Sequence, residues 1–218
     1  SYAAQLANVD ILGGHTEVTD AVTRPVSNAA VVARQPRGCV LRGMRPGDEI
    51  VMTKWAALEG TAILSEDFFE RLSGVSDSLL ASARALSSRL SIVAESKIAM
   101  RSGATAMHDV TEGGVLGAAW ELGYANACAV EIDAAMIPVR EDTRAICAAL
   151  SLDPLRLIGS GSLLIACESG PRLCCALKSE GIPAGVIGRA IEGKTSFLNG
   201  APLGEPHADE IYRLYDRA

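Results

Sequence analysis

From about residue 38 onward, short apolar runs alternate with amphipathic helix-like segments, and glycine or proline turns separate them. Apolar residues recur every second position in a strand and about every 3.6 positions in a helix, so this alternation predicts a sheet covered by helices. Glu49–Thr53 leaves a Pro-Gly turn as a strand, and Val115, Ala119 and Leu122 form one apolar stripe of a helix. We therefore predict a layered α/β or α+β domain over residues 38–218.

Residues 1–37 are predicted to belong to a different domain. Two apolar runs, at residues 9–12 and 28–34, favour buried strands, and the turn-rich segment at residues 35–38 is typical of a connector. Residues 1–8 are typical of the end of a helix. We therefore expect the chain to be part of a longer protein.

The composition excludes several classes of partner. The chain has 20 Lys and Arg against 26 Asp and Glu, a net charge of −6, so it offers no broad positive field for nucleic acid or anionic membranes. No apolar run approaches a membrane span or a signal sequence, which predicts a cytoplasmic protein. Six cysteines without a CxxC pair predict reduced thiols and no zinc site: Cys39, Cys128, Cys147, Cys167, Cys174 and Cys175.

The first segment that could carry chemistry is a pair of glycines, Gly13 and Gly14, followed by the polar residues His15 and Thr16. Without a Cβ atom, glycine lets backbone N–H groups come close to a phosphate. A glycine pair taken alone is more often an ordinary turn. The sequence leaves both interpretations open.

A second segment places Asp109, Thr111 and Glu112 after a predicted strand, with Gly113 and Gly114 leading into a helix. Free N–H groups at a helix start can hold an anion, and the two carboxylates could hold a divalent cation through oxygen. The alternative is helix capping by Asp109 or Thr111. Spacing alone does not separate these hypotheses.

A third segment runs from a strand into a helix and carries Lys54, Glu59, Gly60 and Thr61. A lysine at this place can meet a phosphate as a point charge, although the phosphate-binding pattern GxxxxGK[ST] is absent. A solvated Lys–Glu pair is an equally good interpretation.

Five segments occur in an order that resembles the aminoimidazole ribonucleotide synthetase (PurM-like) superfamily, which includes thiamine monophosphate kinase and selenophosphate synthetase. Within it, the chain is most similar to the HypE-like and AIR synthase-related proteins. The segments are GGHTEV at 13–18, GDEIVMT at 47–53, HDVTEGG at 108–114, GSGSLLI at 159–165 and VIGR at 186–189.

The resemblance implies a two-domain enzyme that binds ATP with Mg²⁺ and passes the γ-phosphate to an acceptor. It implies that residues 1–37 are the end of the N-terminal, ATP-binding domain and that residues 38–218 are the whole C-terminal domain. The acceptor, a small molecule or a protein, stays unidentified. A homodimer is implied, and this chain alone is expected to be inactive.

The resemblance also assigns residues to roles. It implies Asp109 and Lys54 as catalytic, and Asp109 and Glu112 as ligands of the metal. It places Gly13, Gly14, Thr16, Gly113 and Gly114 around ATP, and Glu59, Gly60, Thr61 and His108 around the acceptor. The alternative function is a scaffold or partner-binding domain that keeps the fold without the chemistry.

Overall fold

The computed structural model describes residues 2–34 and 41–215, and the chain divides into a compact unit at residues 1–40 and a second at residues 41–218. Unit 1 begins with helix α1 (Tyr2–Ala7). Its described residues 9–34 contain neither helix nor strand and are exposed, so the strands predicted at 9–12 and 28–34 are wrong. A strand needs a neighbour for its N–H and C=O groups, and none of the described residues pairs with these runs. The predicted connector at 35–38 lies outside the described residues.

Unit 2 is built on a seven-stranded sheet with the strand order β2-β4-β1-β5-β3-β6-β7. Neighbouring strands are antiparallel except β3 and β6, which are parallel. The strands are β1 (Glu49–Thr53), β2 (Ala104–Asp109), β3 (Ala129–Ile132), β4 (Leu163–Cys167), β5 (Ala184–Ile191), β6 (Ser196–Leu198) and β7 (Ala201–Leu203).

Helices alternate with these strands, which confirms the predicted fold class. They are α2 (Leu58–Asp67), α3 (Asp77–Arg84), α4 (Val93–Arg101), α5 (Gly114–Ala125), α6 (Glu141–Leu150), α7 (Gly170–Ser179) and α8 (Tyr212–Tyr215). Short 3₁₀ turns occur at Phe69–Arg71, Ala85–Arg89 and Ala134–Met136. Helix α4 and the β6–β7 hairpin were not predicted from the sequence.

The two-residue period of β1 divides the core between the two faces of the sheet. Ile50 and Met52 pack with the residues of α5 on one face, while Val51 packs with α4 and α7 on the other. Helices α2, α3 and α6 form a separate apolar cluster with Ile211 and Leu214. Burial of each large apolar side chain contributes about 1.5–3 kcal/mol to the free energy of unfolding, so the packing on both faces stabilises the sheet.

Strands β1 and β2 run in the same direction because each is antiparallel to β4, which lies between them. Leu164 of β4 is paired with Met52 on one side and with His108 on the other. The loops that follow β1 and β2 therefore leave from the same end of the sheet, named here the β1–β2 end. Within residues 2–34 and 41–215, no helix is both long and apolar enough to cross a membrane.

Candidate functional site

Hydrogen bonds join three loops at the β1–β2 end of the sheet. The Val110 N–H donates to the carbonyl of Ser162 (3.1 Å), and the Ser162 hydroxyl donates to the carbonyl of Trp55 (2.7 Å). The Leu163 N–H donates to the Thr53 hydroxyl at 3.0 Å. The loop after β1, the loop after β2 and the loop before β4 are thus one connected surface. The second and third segments singled out in the sequence lie on it.

Asp109, the last residue of β2, and Glu112, on the loop after β2, are both exposed. In the part of the chain that the structure describes, the Asp109 carboxylate has no hydrogen-bonding partner, and Glu112 Oε1 accepts a bond from the Tyr212 hydroxyl at 2.8 Å. This bond raises the pKa of Tyr212. Two carboxylates suit Mg²⁺, which usually completes its shell with water and substrate phosphate. The described residues contain no group of three or more His, Cys, Asp or Glu side chains that could enclose a metal.

The glycines before α5 already use their N–H groups within the fold. The Gly113 N–H donates to Asp209 Oδ2 (2.8 Å), and the Gly114 N–H donates to the carbonyl of Thr111 (3.1 Å). Gly113, with φ of 79°, is the N-cap and no side chain caps the helix, so capping by Asp109 or Thr111 is wrong. A β-branched or bulky residue at this positive φ would be strained, which explains why a glycine suits the position.

Asp209 is a site residue that sequence reasoning missed. Asp209 is only 2% exposed, and its carboxylate accepts N–H bonds from Gly113 (2.8 Å) and Ile211 (2.9 Å). Burial raises the pKa of this carboxyl group, although the bonds from the backbone N–H groups act in the opposite direction. An isolated aspartate far along the chain gives no local signal of such a contact.

Lys54 is buried at the end of β1. Its ammonium lies 2.6 Å from Glu95 Oε1 and donates to the carbonyls of Arg89 (3.0 Å) and Ser91 (2.8 Å). These three acceptors account for the three protons of the ammonium group. The carboxylate that pairs with Lys54 therefore comes from α4, and the pair is buried rather than solvated.

The predicted acceptor residues at the start of α2 occupy different environments. Thr61 is buried, where its hydroxyl donates to the carbonyl of Ala57 (2.7 Å) and lies 2.9 Å from the Thr143 hydroxyl. Gly60 is buried, and a Cβ there would lie 2.5 Å from Leu157 Cγ. Glu59 borders a cavity of about 280 Å³, and its Oε2 is buried without a hydrogen-bonding partner among the described residues. Of the three, Glu59 alone has a polar atom left for a ligand.

The remaining predicted residues lie elsewhere. His108, at the end of β2, places Nδ1 2.7 Å from the carbonyl oxygen of Asp109 and Nε2 3.4 Å from Glu121. Gly13, Gly14 and Thr16 belong to unit 1 and are exposed, and a Cβ on either glycine would meet no atom within 4 Å. Their roles therefore stay predictions.

A larger cavity, of about 630 Å³, lies over β3 and β5. The Arg189 guanidinium and the Glu131 carboxylate form an ion pair of 2.7 Å beside it, and Glu49 and Asp133 also line it. None of the predicted site residues lines this cavity. The larger cavity and the predicted site residues of unit 2 therefore lie at different places. The exposed carboxylates of Asp109 and Glu112 lie instead at the β1–β2 end of the sheet.

Comparison with known proteins defines the class of this molecule. Residues 45–200 match the model of the family described as AIR synthase related protein, C-terminal domain. The match covers more than half of the chain, and it includes β1, β2, β4 and the loops at the β1–β2 end. The chain belongs to this family.

The proteins that the chain matches include HypE, a hydrogenase maturation protein. Carbamoyl dehydratase HypE from Cupriavidus necator is 30% identical over 207 residues, which are 90% of this chain and 56% of that protein. The crystal structure of Escherichia coli HypE matches 79% of this chain and 54% of its own, with 26% identity and a TM-score of 0.64. A HypE structure in complex with ATP shares the fold, with 20% identity, a TM-score of 0.54, and coverage of 76% of this chain and 52% of its own. The chain spans little more than half the length of these relatives.

Proposed function

We propose that this chain supplies the acceptor-binding side of an ATP-dependent phosphoryl-transfer enzyme related to HypE. Membership of the AIR synthase-related family supports an ATP-dependent enzyme, as does the fold shared with a HypE that binds ATP. The observation that carries the proposal is the exposed Asp109 carboxylate, which has no hydrogen-bonding partner among the described residues and lies where three loops meet.

In this proposal Asp109 and Glu112 hold Mg²⁺ through their carboxylate oxygens. When bound, Mg²⁺ neutralises charge on the phosphates during transfer. Gly13, Gly14 and Thr16 are assigned to phosphate oxygens through their backbone N–H groups. The protein's contribution is placement and charge compensation, because phosphoryl transfer needs no protein nucleophile.

Lys54 and the acceptor residues have more specific assignments. Because the ammonium of Lys54 is already bonded to three acceptors, we assign it to holding the loop after β1 rather than to contacting a phosphate. The free Oε2 of Glu59 is assigned to the acceptor, and His108 to its border. Gly60 and Thr61 support this region by packing inside it.

Calorimetric titration of the chain with ATP, with and without Mg²⁺, tests the proposal. We expect saturable binding that requires Mg²⁺, and Asp109→Asn should weaken it at least about 10-fold, as loss of metal ligation does. Glu192→Gln is the control, because it also neutralises an exposed carboxylate but lies on the turn after β5. Equal affinity of wild type and Asp109→Asn would contradict the assignment.

A non-catalytic scaffold is the second candidate function. It is supported by the donors at the β1–β2 end that are already bonded within the fold, namely the N–H groups of Gly113 and Gly114 and the ammonium of Lys54. A chain that binds no nucleotide but forms a stable complex with another protein would favour it.

The homodimer expected from the sequence is a separate prediction, and sedimentation would show it as twice the monomer mass.

A further inference from the structure

The described end of the chain contacts the loop after β2, which carries Glu112 and directly follows Asp109. Residues 209–214, named here the C-terminal brace, reach this loop through Asp209 and Tyr212. The carboxylate of Asp209 accepts the N–H of Gly113 at 2.8 Å and that of Ile211 at 2.9 Å. Because this residue is buried and each of its carboxylate oxygens already accepts an N–H bond, it fixes the backbone at the start of α5 and is not itself exposed to a ligand.

The second contact holds a side chain rather than the backbone. The Tyr212 hydroxyl donates to Glu112 Oε1 at 2.8 Å, although both residues are exposed. An exposed glutamate otherwise samples many rotamers, and ordering it costs roughly 1.5–2 kcal/mol. The bond from Tyr212 removes part of that freedom before any cation binds. It engages one carboxylate oxygen and leaves the other for a ligand.

The brace is itself firmly attached. Ile211 and Leu214 are buried in the apolar cluster of α2, α3 and α6. Glu210 accepts the N–H of Asp153 at 3.0 Å and forms an ion pair with Arg213 at 2.6 Å. Because the brace is held by these contacts, its hydrogen bonds restrict the conformations of the loop after β2.

We propose that Asp209 and Tyr212 are positioning residues for divalent-cation binding at Asp109 and Glu112. Asp209 sets the course of the backbone through Gly113, and Tyr212 sets the orientation of the Glu112 carboxylate. The inference rests on the proposed function, since it deepens the assignment of Asp109 and Glu112 as cation ligands. It adds two residues that touch neither the cation nor the acceptor.

The test compares Tyr212→Phe with Tyr215→Phe in the full chain. Both variants remove one hydroxyl from α8, but Tyr215 packs its ring on Phe68 and has no carboxylate partner among the described residues. Mn²⁺ is the probe, titrated with and without ATP and followed by water-proton relaxation. We expect Tyr212→Phe to weaken Mn²⁺ binding about 10-fold, as loss of a group that orients a ligand does, and Tyr215→Phe to leave it unchanged.

Hydrogen exchange of the peptide that spans residues 109–117 supplies a readout independent of any ligand. Exchange there should be faster in Tyr212→Phe and in Asp209→Asn, and unchanged in Tyr215→Phe, while the exchange of β1 shows that each variant is folded. Wild-type exchange and Mn²⁺ affinity in both brace variants would overturn the inference. If the wild type binds neither Mn²⁺ nor ATP, the role in cation binding and the proposed function are both overturned. Faster exchange in the brace variants would then show only that the brace stabilises the loop.

Discussion

Lys54 and Glu95 form a buried ion pair in which Nζ lies 2.6 Å from Oε1 and the side chains are 6% and 5% exposed. Lys54 directly follows β1 and has a φ of 54°, a left-handed conformation that costs a residue with a side chain about 1 kcal/mol or more. The ammonium also bonds the carbonyls of Arg89 and Ser91. One side chain thus joins β1, the segment before α4 and α4 itself, which holds the strained turn in place.

Removing one partner of this pair should leave the other charge buried and unpaired. We expect Glu95→Gln to lower the free energy of unfolding by roughly 3 kcal/mol, the lower end of values for broken buried pairs. The control is Glu131→Gln, which breaks the exposed pair with Arg189 and should cost under about 1 kcal/mol. Urea denaturation followed by circular dichroism measures both. Equal losses would show that the Lys54 pair is solvated in solution.

The sequence predicted the elements whose signal is local. The apolar stripe of Val115, Ala119 and Leu122 lies in α5, and β1 follows its Pro-Gly turn as expected, because hydrophobic period and turn residues are properties of neighbouring positions. The runs at 9–12 and 28–34 are apolar enough for strands, but a strand also needs a paired neighbour. Composition carries no information about that neighbour.

The difference between local sequence signals and contacts with distant residues also explains how much of the site was predicted. The loops after β1 and β2 each showed glycines and polar residues following a strand, so Asp109 and Lys54 could be proposed as candidates. The partners that define their environment lie far away in sequence, as for Gly113 and Asp209, which are 96 positions apart. Such contacts depend on strand order and helix packing, and no spacing rule reveals them.

Gly114 is expected to be essential for packing rather than for flexibility. A Cβ at this position would lie 2.5 Å from the carbonyl oxygen of Leu155 and 2.8 Å from that of Leu157, and φ is +63°. Gly114→Ala should therefore lose about 1 kcal/mol from the backbone strain and about 1–3 kcal/mol more from the clash.

Gly181→Ala is the matched control for that variant. Its φ is +74°, but a Cβ there meets no atom within 4 Å, so it carries the strain without the clash and should cost about 1 kcal/mol. Urea denaturation of the two variants gives the difference directly. If both lose the same free energy, the loop before β4 does not pack against α5 as described.

The buried cysteines should be unreactive in the folded chain. Burial raises the pKa of Cys147 to about 12 and that of Cys167 to about 11, so both thiols stay protonated at pH 8. Cys175 is exposed. Brief iodoacetamide treatment followed by peptide mass spectrometry should label Cys175 and leave Cys147 and Cys167 unmodified. Labelling in urea is the control for reagent access, and equal modification of Cys147 without urea would refute the burial.

Asp142 makes the stability of the chain depend on acid. Burial by itself would raise the pKa of this carboxyl group, but bonds from the Arg140 guanidinium (2.8 Å), the Ser82 hydroxyl (2.8 Å) and the Thr143 N–H (2.8 Å) hold the pKa below its ordinary value. Because the folded pKa is below the unfolded one, the ionised carboxylate contributes its full stability above about pH 4. That contribution is lost as the pH falls through the folded pKa.

We therefore expect wild type to lose more free energy of unfolding between pH 7 and pH 3 than Asp142→Asn does. The variant should be the less stable protein at pH 7, since asparagine cannot accept all of these bonds, and the gap between the two should narrow as the carboxylate becomes protonated. Asp67→Asn makes the same substitution at an exposed position at the end of α2 and should change stability by less than about 0.5 kcal/mol. Urea midpoints at several pH values measure all three proteins. A gap between wild type and Asp142→Asn that stays constant from pH 7 to pH 3 would mean that the bonds from Arg140 and Ser82 do not favour the ionised form.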